Sequence, residues 1–115
     1  MQPIEPAWSP DGRRLAFATG RGVIYIINSD GSEQRRLSHR DVPLYGFYSP
    51  IWSPDGRRIG FVTMPGRYDS IYVVKAAGGS ERLVTRHAYN EAGFIWRPDG
   101  GGIIYARGGE AASSQ

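Results

Sequence analysis

Apolar residues in this chain come in short runs separated by turn-forming residues, and no segment shows the 3.6-residue recurrence of an amphipathic helix. In "RLAF", "RIGF" and "GIIY" the large side chains alternate with smaller ones: Leu15 and Phe17, Ile59 and Phe61, and Ile103 and Tyr105 fall on one side of an extended chain. Ala16, Gly60 and Ile104 face the other way, and the first two are small enough for a neighbouring layer to approach closely. "GVIYII" (residues 22–27) and "SIYVV" (residues 70–74) are continuous β-branched and aromatic runs, the pattern of strands covered on both faces. "EQRRLS" and "ERLVT" predict shorter, more polar strands. The pattern predicts an all-β protein.

The turns between these runs repeat. "PAWSPDGRRLAF" (residues 6–17) returns forty-four positions later as "PIWSPDGRRIGF" and again as "FIWRPDGGGIIY". Trp8, Trp52 and Trp96 keep that spacing, as do Pro10, Pro54 and Pro98, Asp11, Asp55 and Asp99, and Gly12, Gly56 and Gly100. In each copy proline presets φ for the first corner, aspartate bonds its own backbone, and glycine accepts a left-handed conformation. The expected connection is a three-residue hairpin between strands A and B. Ser9 and Ser53 are placed to cap the turn, and Arg97 stands in their place in the third copy, which should be held less well. Asp30-Gly31 and Gly78-Gly79 predict the hairpins between strands C and D.

Four short antiparallel strands in a repeat of this length are the signature of a propeller blade, and a tryptophan on strand A suits the gap between blades. The expected fold is therefore a β-propeller fragment of about two and a half four-stranded antiparallel blades. Its divisions are 3–38 for blade 1, 39–49 for a connecting loop and 50–85 for blade 2. They continue with 86–93 for a second loop, 94–106 for a half blade of strands A and B, and 107–115 for a flexible tail.

"PAWSPDGRRLAFAT…VIYIINSDGSEQRRLS" resembles the WD-like repeat of TolB-like β-propellers, and the resemblance covers nearly the whole chain from Pro3 to Ala106. It implies a repeat that serves several parents: periplasmic TolB, the propellers gating prolyl-oligopeptidase-like peptidases, tricorn-type proteases and sensor proteins. A TolB-like parent would imply a periplasmic or extracytoplasmic location. Without one, "MQPIEPAW" lacks the basic-then-apolar pattern of a secretory signal and points to the cytoplasm.

The constant period hides two compensating changes. Phe17 to Tyr25 spans eight residues and Phe61 to Tyr72 eleven, whereas Ser38 to Trp52 spans fourteen and Thr85 to Trp96 eleven. All this variation falls in the B–C and D–A connections, which lie at one end of an antiparallel blade. Loops held by a rigid scaffold are where binding residues concentrate. Arg40, Tyr45 and Tyr48, Arg67 and Tyr68, and Arg86, His87 and Tyr89 occupy those connections and are the candidate binding residues. Tyrosine and arginine anchor protein interfaces, although a tyrosine in such a loop equally packs over the end of strand A.

Composition narrows the chemistry. There is no cysteine, so disulfides and thiolate sites are excluded. The net charge of +3 comes from thirteen arginines and Lys75 spread among acids, without the dense basic stripe of a nucleic-acid binder. No apolar run is long enough for a membrane helix. There is no G-x-S-x-G elbow, and His39 and His87 sit in separate loops. "PDGGG" lacks the lysine and hydroxyl of a phosphate loop. "NSDGSE" lacks the further acids of a calcium loop and reads as a hairpin, and the His87–Glu91 pair reads as a solvated loop. The expectation is a non-catalytic protein- or peptide-interaction module with no cofactor and no metal site. Its partners are a protein or peptide, plus further blades or other copies of the chain to complete the fold, since propellers close with about four to eight blades. The competing expectation is a substrate-gating segment of a prolyl-oligopeptidase-type peptidase.

Overall fold

The computed structural model describes residues 4–18, 23–37, 50–63, 69–88, 94–107 and 110–114. Every element among them is a strand, arranged in three antiparallel sheets. β1 (Ile4–Trp8), β2 (Arg14–Ala18), β3 (Ile24–Asn28) and β4 (Arg35–Arg36) form the first, in that order. β5 (Ile51–Trp52), β6 (Arg58–Thr63), β7 (Asp69–Lys75) and β8 (Arg82–Ala88) form the second. β9 (Phe94–Trp96), β10 (Ile103–Arg107) and β11 (Glu110–Ser114) form the third. Among the described residues no helix is long and apolar enough to cross a membrane.

The turns follow from local chemistry. Gly12, Gly56 and Gly100 have φ of 71°, 72° and 74°, the left-handed conformation that the repeated Pro-Asp-Gly demands. The hairpin is one residue longer than expected: Ser9 N–H donates to the Arg14 carbonyl and Ser53 N–H to that of Arg58, each at 2.8 Å, enclosing four residues. Its return bond goes elsewhere. Arg14 N–H and Arg58 N–H donate to the serine hydroxyls, each at 3.0 Å, so a side chain does what a tighter turn gives to a carbonyl.

Two apolar clusters join the sheets. Ala16, Ala18, Ile24, Ile26 and Leu37 of the first sheet pack with Trp52, Ile59, Phe61, Tyr72 and Val74 of the second. The opposite face of the second sheet, with Val62, Ile71 and Val73, packs with Phe94, Trp96, Ile103 and Tyr105 of the third. Strand C is therefore covered on both faces only in the middle sheet. Ile71, Tyr72, Val73 and Val74 are all buried there, whereas Tyr25 and Ile27 of β3 are only half-buried because no sheet lies over them.

Each joint is locked the same way. The Trp52 indole N–H donates to the Ala7 carbonyl at 2.8 Å, and that of Trp96 to the Ile51 carbonyl at 2.9 Å. Both rings are buried, but Trp8, which none of the described sheets covers, is 57 % exposed. Close approach requires a small residue on the facing strand. A Cβ at Gly60 would lie 2.5 Å from the Phe94 ring, so only glycine fits there. Ala16 serves the first joint, and Ile104, on the outer side of the third sheet, is 37 % exposed.

Two segments depart from the expected boundaries. β8 continues to Ala88, which pairs with Asp69, so residues 86–88 belong to a strand rather than to a connecting loop. The extra length before β7 starts that strand earlier, and the prolonged β8 meets its backbone groups. Residues 110–114, expected within a flexible tail, pair with β10 from Arg107↔Glu110 to Ile103↔Ser114. In the sequence two residues, Gly108 and Gly109, separate the paired Arg107 and Glu110. The third unit is thus three strands, not two.

Burial of the joint tryptophans sets an expected order of stability. Trp52→Ala should lower the unfolding free energy by about 3–5 kcal/mol through the cavity it leaves, and Trp8→Ala by less than about 1 kcal/mol. Urea titrations of the two variants would check this, and equal losses would refute the asymmetry between the joints and the open face.

Candidate functional site

The two ends of the sheets differ in character. Ser29 N–H donates to the Arg13 carbonyl and Ala76 N–H to the Arg57 carbonyl, each at 2.8 Å, so the A–B and C–D turns lie side by side at one end. The B–C and D–A connections leave from the other. Arg40, Tyr45, Tyr48, Arg67, Tyr68 and Tyr89, the candidates on those connections, lie outside the described residues, as do His39 and Glu91. Arg86 and His87 are on β8, at the strand end from which one such connection departs.

At the turn end the repeated aspartates are engaged in structure. Asp55 accepts from the Ser53 hydroxyl at 2.6 Å and from Arg57 N–H at 3.0 Å; Asp11 accepts from the Ser9 hydroxyl at 2.6 Å and from Arg13 N–H at 3.0 Å. The bond from Ser53 does most to hold the Asp55 carboxyl below the ordinary value of 3.8. Arg57 N–H comes next; slight desolvation opposes it, and the charges of Arg57 and Arg58 add a little. Asp11 is lowered by the same set of groups from its own turn, with Ser9 first. A carboxylate held ionised by two donors is a poor general acid.

The third turn lacks the hydroxyl. Asp99 still accepts from Gly101 N–H at 2.8 Å, and Arg97 N–H still meets the Gly102 carbonyl at 2.8 Å. The Arg97 guanidinium stands only 3.9 Å from Asp99 and is exposed, which replaces two short hydroxyl bonds by one weak ion pair. Asp30, in the C–D hairpin, accepts from the Ser32 hydroxyl at 2.5 Å and its N–H at 2.9 Å, and these bonds, the hydroxyl first, hold its carboxyl below 3.8. Asn28 Nδ2 reaches Glu33 at 2.7 Å, so the polar atoms of "NSDGSE" are spent on one another. Among the described residues no three metal-ligating side chains come together.

Sequence reasoning missed the arginines that bridge the joints. The Arg14 guanidinium lies over the Trp52 ring, 5.6 Å from its centroid, and that of Arg58 over Trp96 at 5.0 Å. Arg58 also donates to the Gly100 carbonyl, and Arg35 to the carbonyls of Ala76 and Ala77 at 2.7 and 3.2 Å. The second arginine of "GRR" was the available signal, but the partner indole is forty-odd residues away and local patterning does not pair them.

No protein-family model matches the chain. An uncharacterised peptidase of Bacillus subtilis, YuxL, is 46 % identical over 46 residues, covering 36 % of this chain and 6 % of that protein. Among solved structures, TolB from Acinetobacter baumannii superposes with a TM-score of 0.69 at 23 % identity, over 97 % of this chain and 29 % of that one. A prolyl endopeptidase superposes with a TM-score of 0.64 at 17 % identity, over 97 % of this chain and 21 % of that one. The chain therefore has the fold of a TolB-like propeller segment and spans well under half the length of these proteins.

Replacing the turn serine should act on stability and on acid sensitivity together. Ser53→Ala removes an acceptor for Arg58 N–H and a donor to Asp55, and should cost about 1–2 kcal/mol at neutral pH. Because the folded Asp55 carboxyl is held below 3.8, its contribution is complete above that pH and lost as pH falls through the lowered value. The variant should return the carboxyl towards 3.8 and lose that part of the acid sensitivity. Urea midpoints on either side of this pH, with carboxyl NMR titration of Asp55, would check both; an unmoved titration would refute the hydroxyl's role.

Proposed function

We propose that this chain is a non-catalytic protein- or peptide-interaction module, part of a TolB-like β-propeller, which binds its partner at the end carrying the B–C and D–A connections. The observation that carries the reading is the division of labour between the two ends. The Trp-Ser-Pro-Asp-Gly residues are consumed by turns and joints, and the described aspartates are tied to backbone donors and hydroxyls. Length changes only in the connections, where Tyr45, Tyr48, Tyr68 and Tyr89 and the arginines Arg40, Arg67 and Arg86 fall with His87. A flat propeller end with aromatic and guanidinium anchors suits a peptide or protein surface.

A second reading, that the segment gates substrate access in a prolyl-oligopeptidase-type peptidase, is favoured by the 46 % identity to the Bacillus subtilis peptidase and by the likeness to a prolyl endopeptidase. In that case the catalytic G-x-S-x-G and its α/β domain would be encoded in the same reading frame, which sequencing the surrounding gene would decide.

Peptides selected from a displayed library against the wild-type chain test the first reading. The triple variant Tyr45→Ala, Tyr68→Ala, Tyr89→Ala should keep its unfolding transition and bind the selected peptides at least about tenfold more weakly, a loss of about 1.4 kcal/mol. Unchanged binding by the folded variant would overturn the assignment.

A further inference from the structure

Two adjoining cavities run along the turn end of the second sheet. The first, of about 520 Å³, lies where the first sheet meets the β5–β6 hairpin and is lined by Arg14, Asp55, Arg57, Arg58 and Lys75, with Ala76 and Ala77. The second, of about 430 Å³, shares Arg58 and Lys75 and extends past Ser80 to Arg82. The first cavity thus presents four cations against one carboxylate, and that carboxylate already accepts from Ser53 and Arg57 N–H. Among the described residues no acid stands within ion-pair distance of Arg14, Arg57, Arg58 or Lys75.

Arg14, Arg57 and Arg58 come from the repeated turn, but the charge is not spread evenly along the array. Gly101 and Gly102 occupy the positions of Arg57 and Arg58 in the next turn, and Asn28 pairs with Arg14 where Lys75 pairs with Arg58. Cation–π contact with Trp52 and Trp96 restrains Arg14 and Arg58, and a guanidinium carries more N–H donors than that contact uses. A ligand that meets them loses less side-chain entropy than one that must order a free arginine.

We propose that this paired cavity binds an acidic segment of a partner protein, an extended run of aspartate or glutamate. The partner class rests on the interaction-module reading, but the surface is at the opposite end from the candidate loops. Two features select the ligand. Each exposed ion pair contributes only about 0.2–1 kcal/mol, so useful affinity needs several carboxylates spaced along one chain. Among the described residues no aromatic side chain lines either cavity, and guanidinium groups lie over Trp52 and Trp96, so these residues offer no platform on which nucleic-acid bases could stack.

Isothermal titration and NMR shift mapping of the whole chain with a capped hexaglutamate peptide test the proposal. The peptide should bind at low ionic strength with shifts centred on Arg57, Lys75 and Ser80, and weaken about tenfold in about 0.3 M salt. Arg57→Ala with Lys75→Ala, both at exposed positions, should weaken it about tenfold; the charge-matched control Arg13→Ala with Arg97→Ala should leave it unchanged. Binding by the triple tyrosine variant should equal wild type, which separates this site from the loop end. Absent binding, equal loss in both double variants, or tighter binding of inorganic triphosphate than of the peptide would each overturn the assignment.

Discussion

At each joint between sheets a buried indole N–H reaches back to a backbone carbonyl, and the rest of the architecture is arranged around that bond. Trp52 and Trp96 each carry a large apolar ring and one donor, and burying the ring strands the donor unless a backbone acceptor is aimed at it. The Ala7 and Ile51 carbonyls supply that acceptor from the first strand of the preceding sheet. The bond therefore sets how two sheets are rotated and spaced, not only how strongly they adhere. Apolar burial alone would tolerate sliding, because it has no direction. The indole bond, with the arginine bonds at the rim of each joint, turns a sticky face into a registered one.

The guanidinium layer works on the same rings from the other side. Arg14 and Arg58 lie over the Trp52 and Trp96 rings, so the long side chains add apolar contact at the joint while their charged heads remain at its rim. The same residues thereby support the core and form the wall of the cationic cavities. A surface built from groups already immobilised for packing is better preorganised than one built from free side chains.

Much of this was legible in the sequence because the determinants are local. Pro-Asp-Gly dictates a turn whatever surrounds it, and alternation in "RRLAF" and "RRIGF" assigns faces without a partner. What stayed hidden was set at a distance. That Trp8 is exposed and Trp52 buried depends on which sheets have neighbours, although the residues flanking them are nearly identical. β11, "EAASS", has small and polar residues of low strand propensity, so only its pairing with β10 makes it a strand; the Gly108-Gly109 before it was the overlooked signal. The serine hydroxyl that closes the first two turns was foreseen as a cap, but not as the acceptor that lengthens the hairpin. For the candidate loops, the readable part was their variation in length. The side chains that would act there lie outside the described residues.

The close approach of Phe94 to Gly60 carries a consequence for how far the units of such an array are interchangeable. A freshly duplicated unit is interchangeable with its parent, since the backbone plan, the turns and the tryptophan bond are the same in both. The third unit has Phe94 where the second has Pro50, and its ring leaves no room for a side chain at residue 60, so the two units are a matched pair. The first unit retains Ala16 at the corresponding place and could not stand in front of Phe94 without a clash. Shuffling the units would therefore set mismatched sizes against each other at the second joint. The order of the repeats is constrained as well as their shape.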